Sequence, residues 1–126
     1  MIIGLVGYIG AGKGTVADLL VRNHQYHKFA FADALKDAVA TIFVWPRALL
    51  EGDSNASRAF RERVDTWWSY KLGYEVTPRL ILQKFGTEAC REVIADNIWI
   101  AALEKRIAGY DDVVISDCRF PNEIDF

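Results

Sequence analysis

The chain is poor in the residues that define several large classes of protein. Its 126 residues include two cysteines, Cys90 and Cys118, too few for a disulfide framework, and this predicts reduced thiols in a cytoplasmic protein. No apolar run approaches the roughly 18–20 residues that a membrane-spanning helix needs. The apolar amino terminus has no basic leader, so a signal peptide is not expected. We therefore expect no membrane partner.

A strong excess of one charge is also missing. The net charge of −2 argues against a generally basic nucleic-acid binder, and the 52% hydrophobic content argues against disorder. The length fits a single domain spanning residues 1–126. Residues 58–91 nevertheless contain seven basic and four acidic side chains, a local balance of +3. A cationic patch on an acidic chain suits a compact anion better than a polymer.

Hydrophobic periodicity predicts alternating strands and helices. Two expected helix boundaries are Asp33, an N-cap, and Trp45-Pro46, where a helix ends. The predicted strands are Ile2–Val6, 26–31 and 113–115, and residues 47–57 form the main loop. The predicted helices cover 13–22, 33–45, about 60–72, 77–85 and 96–108. Gly86-Thr87 is expected to interrupt the fourth helix, and Gly109 to cap the C-terminus of the fifth. This order predicts an α/β fold with a parallel sheet.

The segment GYIGAGKGT, residues 7–15, has the strongest functional pattern. It places G-x-x-x-x-G-K between the first strand and the first helix, where backbone N–H groups and the helix N-terminus attract phosphate. Lys13 adds a point charge for the β- and γ-phosphates. Gly14 stands where the general pattern has Ser or Thr, and Thr15 supplies a hydroxyl one residue later. The alternative is a glycine-rich turn without a ligand. The predicted ATP-binding residues are Gly10, Ala11, Gly12, Lys13, Gly14 and Thr15.

A second pattern, VVISDCRFPNE, covers residues 113–123. Asp117 follows the third predicted strand, the usual position of a carboxylate that organises Mg²⁺. Arg119 is placed to contact a transferring phosphate, and Glu123 to orient Arg119 or a metal-bound water. The alternative makes Asp117 a turn cap and the other two residues a surface ion pair.

A third pattern, TPRLILQKFGTEACR, covers residues 77–91. Arg79, Gln83 and either Glu88 or Arg91 recur at roughly helical spacing, so several polar groups are able to converge on one ligand. A glycine at position 86 permits close approach of the backbone. A solvated helix face would carry as many charges, and this alternative stays open.

Taken together, these segments resemble the bacteriophage deoxynucleoside monophosphate kinases. The resemblance rests on GYIGAGKGT, FADALKD, LLEGD with SRAFRERVDTWW, PRLILQKFGTEACR, the spaced Trp99 and ISDCRFPNE, in order along the chain. It implies a P-loop three-layer α/β sandwich with a short parallel sheet and an inserted helical acceptor region at about 45–92. It also implies transfer of the γ-phosphoryl group of ATP, with Mg²⁺, to a deoxynucleoside monophosphate.

The resemblance assigns roles to individual residues. Lys13, Asp117 and Arg119 would be catalytic, with Thr15 and Asp117 near the metal. The residues that would contact the acceptor are Lys36, Arg79, Thr87, Arg91, Trp99 and Glu123. A solvated helix lysine remains the alternative for Lys36, and a core position the alternative for Trp99.

Two other functions remain open. One is a kinase of another small acceptor, such as dephospho-coenzyme A, and the other is a nucleotide-binding protein without turnover. Members of the family continue past the third strand with further strands and a cationic lid, whereas this chain stops at Phe126. We therefore expect a truncated carboxyl terminus and a chain that, alone, is a homo-oligomer or poorly soluble.

Overall fold

The computed structural model describes residues 1–6 and 13–118 of the chain. Along the sequence, the elements are β1 (Ile2–Val6), α1 (Lys13–His24), β2 (His27–Phe29), α2 (Asp33–Phe43), a 3₁₀ helix (Arg47–Leu50), α3 (Asn55–Glu62), α4 (Thr66–Leu72), α5 (Pro78–Gln83), a π-helix (Lys84–Arg91), α6 (Ile98–Ile107) and β3 (Val113–Cys118). They divide into a first unit, Met1–Asp33 with Asn97–Phe126, and a second unit, Ala34–Asp96. Within the described ranges no helix is both long and apolar enough to cross a membrane.

The sheet of the first unit is parallel, and β3 is its central strand. Ile2 of β1 lies opposite Val113, and Phe29 of β2 lies opposite Ile115. The strand order β1-β3-β2 puts both later strands on the same side of β1. The predicted mixed α/β architecture with a short parallel sheet is confirmed.

The central strand is longer than predicted. Its pairing with β1 continues through a register shift until Cys118 lies opposite Val6. Ser116 and Asp117 therefore belong to β3 instead of following it, a correction to the predicted end at Ile115. The second strand is shorter than predicted and is confined to His27–Phe29.

One face of this sheet packs against α6. Val113 and Ile115 of β3 are buried together with Leu103 and Ile107 of α6 and with Phe31. The four-residue spacing of Leu103 and Ile107 places both on one side of the helix. Helix α6 ends in right-handed conformation at Ala108, so the predicted C-cap at Gly109 is wrong.

The second unit is helical and has an aromatic core of its own. Trp45 packs among aliphatic residues that include Val39, Leu50 and Val76. The indole N–H of Trp45 donates to Asp65 Oδ2 at 2.7 Å, which satisfies the one polar group that the ring buries. The predicted acceptor region, residues 45–92, lies within this unit.

Side-chain caps divide a helix that the sequence predicted as continuous. Helix α3 begins at Asn55 because Ser54 and Ser57 form a reciprocal capping box. Helix α4 begins at Thr66 because the Asp65 carboxylate accepts the backbone N–H of Trp68 at 2.9 Å. The predicted loop 47–57 therefore contains a 3₁₀ helix and the start of α3.

The predicted interruption at Gly86-Thr87 is absent from the structure. The chain stays helical from α5 through the π-helix to Arg91. Thr77 caps α5 by accepting the N–H of Leu80, and Pro78 occupies the first helical turn, as predicted.

Candidate functional site

The carboxyl ends of β1, β2 and β3 lie at one edge of the parallel sheet. β1 ends at Val6 on this edge, and the glycine-rich segment follows it in the sequence. Lys13 and Gly14 are the first residues of α1, and Thr15, in the same turn, is exposed. Five of the predicted site residues lie outside the described residues: Gly10, Ala11, Gly12, Arg119 and Glu123.

Asp117 is the half-buried acid at this edge. Its Oδ1 accepts the backbone N–H of Phe31 at 2.7 Å, and its Oδ2 accepts that of Ala32 at 3.1 Å. Asp33 completes the turn by accepting the N–H of Ala30 at 2.9 Å. Two carboxylates thus hold three consecutive N–H groups of the connection between β2 and α2.

This geometry gives Asp117 a structural role without using up its capacity for other ligands. A carboxylate has about four acceptor positions on its two oxygens. The two hydrogen bonds to Phe31 and Ala32 occupy one position on each oxygen. The turn-capping alternative is therefore present in the structure, and it is compatible with contact to a water or cation.

Three of the predicted acceptor residues form ion pairs within the second unit: Arg79, Arg91 and Lys36. Arg91 donates to Asp96 at 2.9 Å, and Arg79 donates to Glu62. Both members of the Arg79 pair are exposed, whereas Arg91 is only 20% exposed. Ion pairs at the surface contribute little to stability. The exposed Arg79–Glu62 pair is therefore not expected to contribute much to the stability of the fold.

Lys36 belongs to a larger charged network. Its Nζ lies 3.4 Å from Glu51 Oε2, and Arg47 contacts both Glu51 and Asp37. Burial opposes ionisation of Glu51, but the charges and hydrogen bonds of Lys36 and Arg47 outweigh it and hold the pKa of Glu51 below its ordinary value. Burial likewise disfavours the charged form of Arg47, yet its hydrogen bonds to Asp37 and Glu51 raise its pKa.

Of the other three predicted acceptor residues, Glu123 lies outside the described residues, and Thr87 and Trp99 lie in different units. Thr87 is exposed on the π-helix, four residues before Arg91. In the first unit, Trp99 is half-buried in the first turn of α6. Within the second unit, Leu35 lies against Gly86, so the elements carrying Lys36 and Thr87 are neighbours.

The structure also shows polar residues that the sequence did not single out. Glu51 is the partner of Lys36, and Arg47 pairs with the same carboxylate. Arg61 crosses over Gly52 so closely that a Cβ there would collide with its guanidinium. Gly52 has φ +76°, a conformation that favours glycine. The segment LLEGD contained the signal, because a glycine after an acid in a loop indicates a turn of this kind.

Viral proteins with related sequences show the family to which the chain belongs. No protein-family model matches the chain. A protein of Acanthamoeba polyphaga mimivirus, named a deoxynucleotide monophosphate kinase, is 34% identical over all of this chain and 67% of its own length. The deoxynucleoside-5'-monophosphate kinase of Escherichia phage T5 is 29% identical over 98% of this chain and 70% of its own length. The chain thus spans about two thirds of each relative, and it belongs to the family of viral deoxynucleoside monophosphate kinases.

Proposed function

We propose that this chain transfers the γ-phosphoryl group of ATP to a deoxynucleoside monophosphate, forming ADP and a deoxynucleoside diphosphate. The observation that carries the proposal is the connection between β1 and α1. A G-x-x-x-x-G-K sequence fills the interval between the end of β1 at Val6 and the start of α1 at Lys13. That strand-to-helix position is the one in which this sequence binds nucleotide phosphates, as in P-loop proteins.

In this proposal the first unit binds ATP. The backbone N–H groups of residues 10–15 and the N-terminus of α1 attract the phosphates. Lys13 supplies a positive charge to the β- and γ-phosphates, and the Thr15 hydroxyl donates to a phosphate oxygen. Arg119 stabilises the charge that develops during transfer, because a guanidinium offers two parallel donors to a phosphate.

The donor set fits a magnesium ion that ATP itself holds. Thr15 offers a hydroxyl and Asp117 a carboxylate with free acceptor positions. In the described ranges no three His, Cys, Asp or Glu side chains form a group suited to a metal. Mg²⁺ keeps several waters and takes one or two carboxylates together with substrate phosphates, which agrees with so sparse a set. When bound, the ion neutralises charge on the phosphates.

The second unit supplies cationic side chains for the acceptor. Arg79, Arg91 and Lys36 bind its phosphate or the groups near it, exchanging their carboxylate partners for the substrate. Thr87 adds an exposed hydroxyl beside them. Trp99 and Glu123 complete the predicted acceptor set. Phosphoryl transfer needs little covalent chemistry from the protein, so positioning and charge stabilisation account for most of the rate.

A coupled ADP assay with ATP and each of the four deoxynucleoside monophosphates tests the proposal. We expect ADP formation that depends on the acceptor. Lys13→Ala should lower kcat/KM by roughly 10²–10³-fold, the effect of losing one electrostatic donor to the transition state. Lys105→Ala, an exposed lysine on α6, is the matched control and should retain wild-type activity.

Two results would contradict the proposal. Activity with dephospho-coenzyme A but none with the four monophosphates would identify a kinase of a different acceptor. ATP binding without ADP formation in the presence of any acceptor would identify a nucleotide-binding protein without turnover.

A further inference from the structure

The helix formed by α5 and the π-helix changes its turn width partway along. The α-helical part ends at Gln83, and the following eight residues, Lys84–Arg91, form the π-helix. The N–H of Glu92 donates to the carbonyl of Thr87 at 3.0 Å, and that of Ala95 to the carbonyl of Cys90 at 3.1 Å, each five residues back. Most π-helical segments are single turns, and they occur frequently at functional sites.

This change of turn width keeps residues four apart in a straight row. In an α-helix each step of four residues overshoots a full turn by about 40°. A π-helical turn is wider, so a step of four falls short of a full turn and reverses that drift. The pattern of burial agrees with a straight row, because residues spaced four apart along this helix are buried: Pro78, Leu82, Gly86 and Cys90.

The neighbouring row carries the polar side chains of this helix. It consists of Arg79, Gln83, Thr87 and Arg91, and we call it the polar row. The first three are exposed, and Arg91 is 20% exposed. In an unbroken α-helix the drift over twelve residues would be about 120°, which would turn Arg91 well away from Arg79.

Gly86 belongs to this buried row, and a side chain there would be in tight contact with Leu35. Gly86 is helical and does not have a positive φ, so the backbone conformation does not require a glycine here. What distinguishes the position is the space left by the missing side chain. A Cβ on Gly86 would lie 3.0 Å from Leu35 Cδ2 and 3.6 Å from Leu35 Cδ1. Leu35 comes directly before Lys36 on α2, and Gly86 directly before Thr87. This contact therefore joins α2 and the π-helix, two of the elements of the second unit that carry proposed acceptor residues.

We propose that Gly86 and Leu35 are positioning residues for the acceptor monophosphate. The side chain of Leu35 fills the space that a Cβ at position 86 would take, and this contact sets the spacing between Lys36 and the polar row. The inference rests on the proposed function, because it concerns the acceptor of that reaction. A shift of a few tenths of an ångström here moves Thr87 and Arg91 relative to Lys36, whereas the residues proposed to bind ATP belong to the first unit.

A set of four variants tests the contact: Gly86→Ala, Leu35→Ala, the double variant, and Gly109→Ala as control. A Cβ at Gly109 meets nothing within 4 Å, so the control adds a methyl group without a contact. For each we would measure the Kd of a deoxynucleoside monophosphate by calorimetry, both KM values and kcat, and the thermal midpoint. Calorimetry detects the acceptor whether or not phosphoryl transfer follows.

Gly86→Ala should raise the Kd and KM of the acceptor roughly 3–10-fold, as expected for a small misplacement of binding groups. The KM of ATP should stay within about twofold, since the residues proposed to bind ATP belong to the first unit and Gly86 and Leu35 to the second. Leu35→Ala should also weaken acceptor binding. The double variant should bind the acceptor more tightly than Gly86→Ala alone, because the smaller side chain makes room for the new methyl group. Gly109→Ala should match the wild type.

Three results would overturn the inference. The first is an unchanged acceptor Kd in Gly86→Ala. The second is a parallel rise in both KM values with a lower thermal midpoint, the pattern of general loosening. The third is additive effects in the double variant. A wild-type chain that binds the monophosphate but forms no ADP would refute the proposed function, and the Kd series would still decide the positioning role.

Discussion

Asp117→Ala removes the group that fastens the connection between β2 and α2 to the sheet. In the folded chain, Asp117 accepts the N–H of Phe31 at 2.7 Å and that of Ala32 at 3.1 Å. Both bonds join residues more than 80 positions apart in the sequence, so no local contact replaces them. The variant leaves two partly buried N–H groups without these acceptors.

The cost follows from the kind of hydrogen bond. A bond to a charged group contributes about 1.5–3 kcal/mol, and partial rehydration of the two N–H groups reduces the sum. We therefore expect Asp117→Ala to lower the free energy of unfolding by about 2–4 kcal/mol. Asp117→Asn keeps one acceptor oxygen but turns an NH₂ group toward the other N–H, so about half of that loss should remain.

Urea unfolding, followed by tryptophan fluorescence, measures these differences. Asp111→Ala, an exposed acid just before β3, is the control and should change stability by less than about 0.5 kcal/mol. A midpoint shift in Asp117→Ala no larger than that of the control would refute the reasoning. If Asp117 also acts on the metal ion, Asp117→Asn should recover about half of the lost stability without recovering kcat.

Other predictions concern the charged network and the loop glycines. The pKa of Glu51 is lowered below 4.5 in the folded chain, so its charge stabilises the fold above that pH, and the contribution is lost as pH falls through the folded-state pKa. Unfolding of Glu51→Gln at pH 6 and pH 3 should therefore show a smaller loss on acidification than the wild type, and equal losses would contradict this. Gly52→Ala should cost about 1–2 kcal/mol from backbone strain alone. Gly73→Ala shares that strain at φ +81° but has open space, so any excess in Gly52→Ala measures the displacement of Arg61. Equal costs would mean that Arg61 moves freely.

Local patterns predicted much of the fold. The apolar run of β1, the amphipathic helix from Asp33 and the Thr77-Pro78 helix start all agree with the structure. These features depend on residues close in sequence, so periodicity and capping reveal them. The division between α3 and α4 was also accessible, because Ser54 and Asp65 are good N-cap residues, but the apolar period across them indicated one helix.

Long-range contacts explain the features that the sequence did not reveal. The extension of β3 to Cys118 depends on pairing with β1, more than 100 residues away. The π-helix accompanies a contact between Gly86 and Leu35 of another helix, which no local pattern encodes. Gly86-Thr87 was predicted to interrupt the helix, whereas Gly86 lies within it and leaves space beside Leu35.

The sequence predicted which residues belong to the candidate site, but not which residues they pair with. Helical spacing identified Arg79 and Arg91, and the family resemblance identified Lys36. Neither revealed their pairing with Glu62, Asp96 and Glu51. Opposite charges that meet across different elements leave no mark on local periodicity. The same holds for Asp117, whose hydrogen bonds to the turn after β2 appear only once the strand order is known.

Transfer of label from [γ-³²P]ATP tests the central claim most directly. The chain would be incubated with Mg²⁺, labelled ATP and each deoxynucleoside monophosphate, and the products separated by chromatography. The account predicts that the label moves to the corresponding deoxynucleoside diphosphate, and that Lys13→Ala abolishes most of this transfer. Label that remains in ATP, or that appears only as inorganic phosphate, would contradict it.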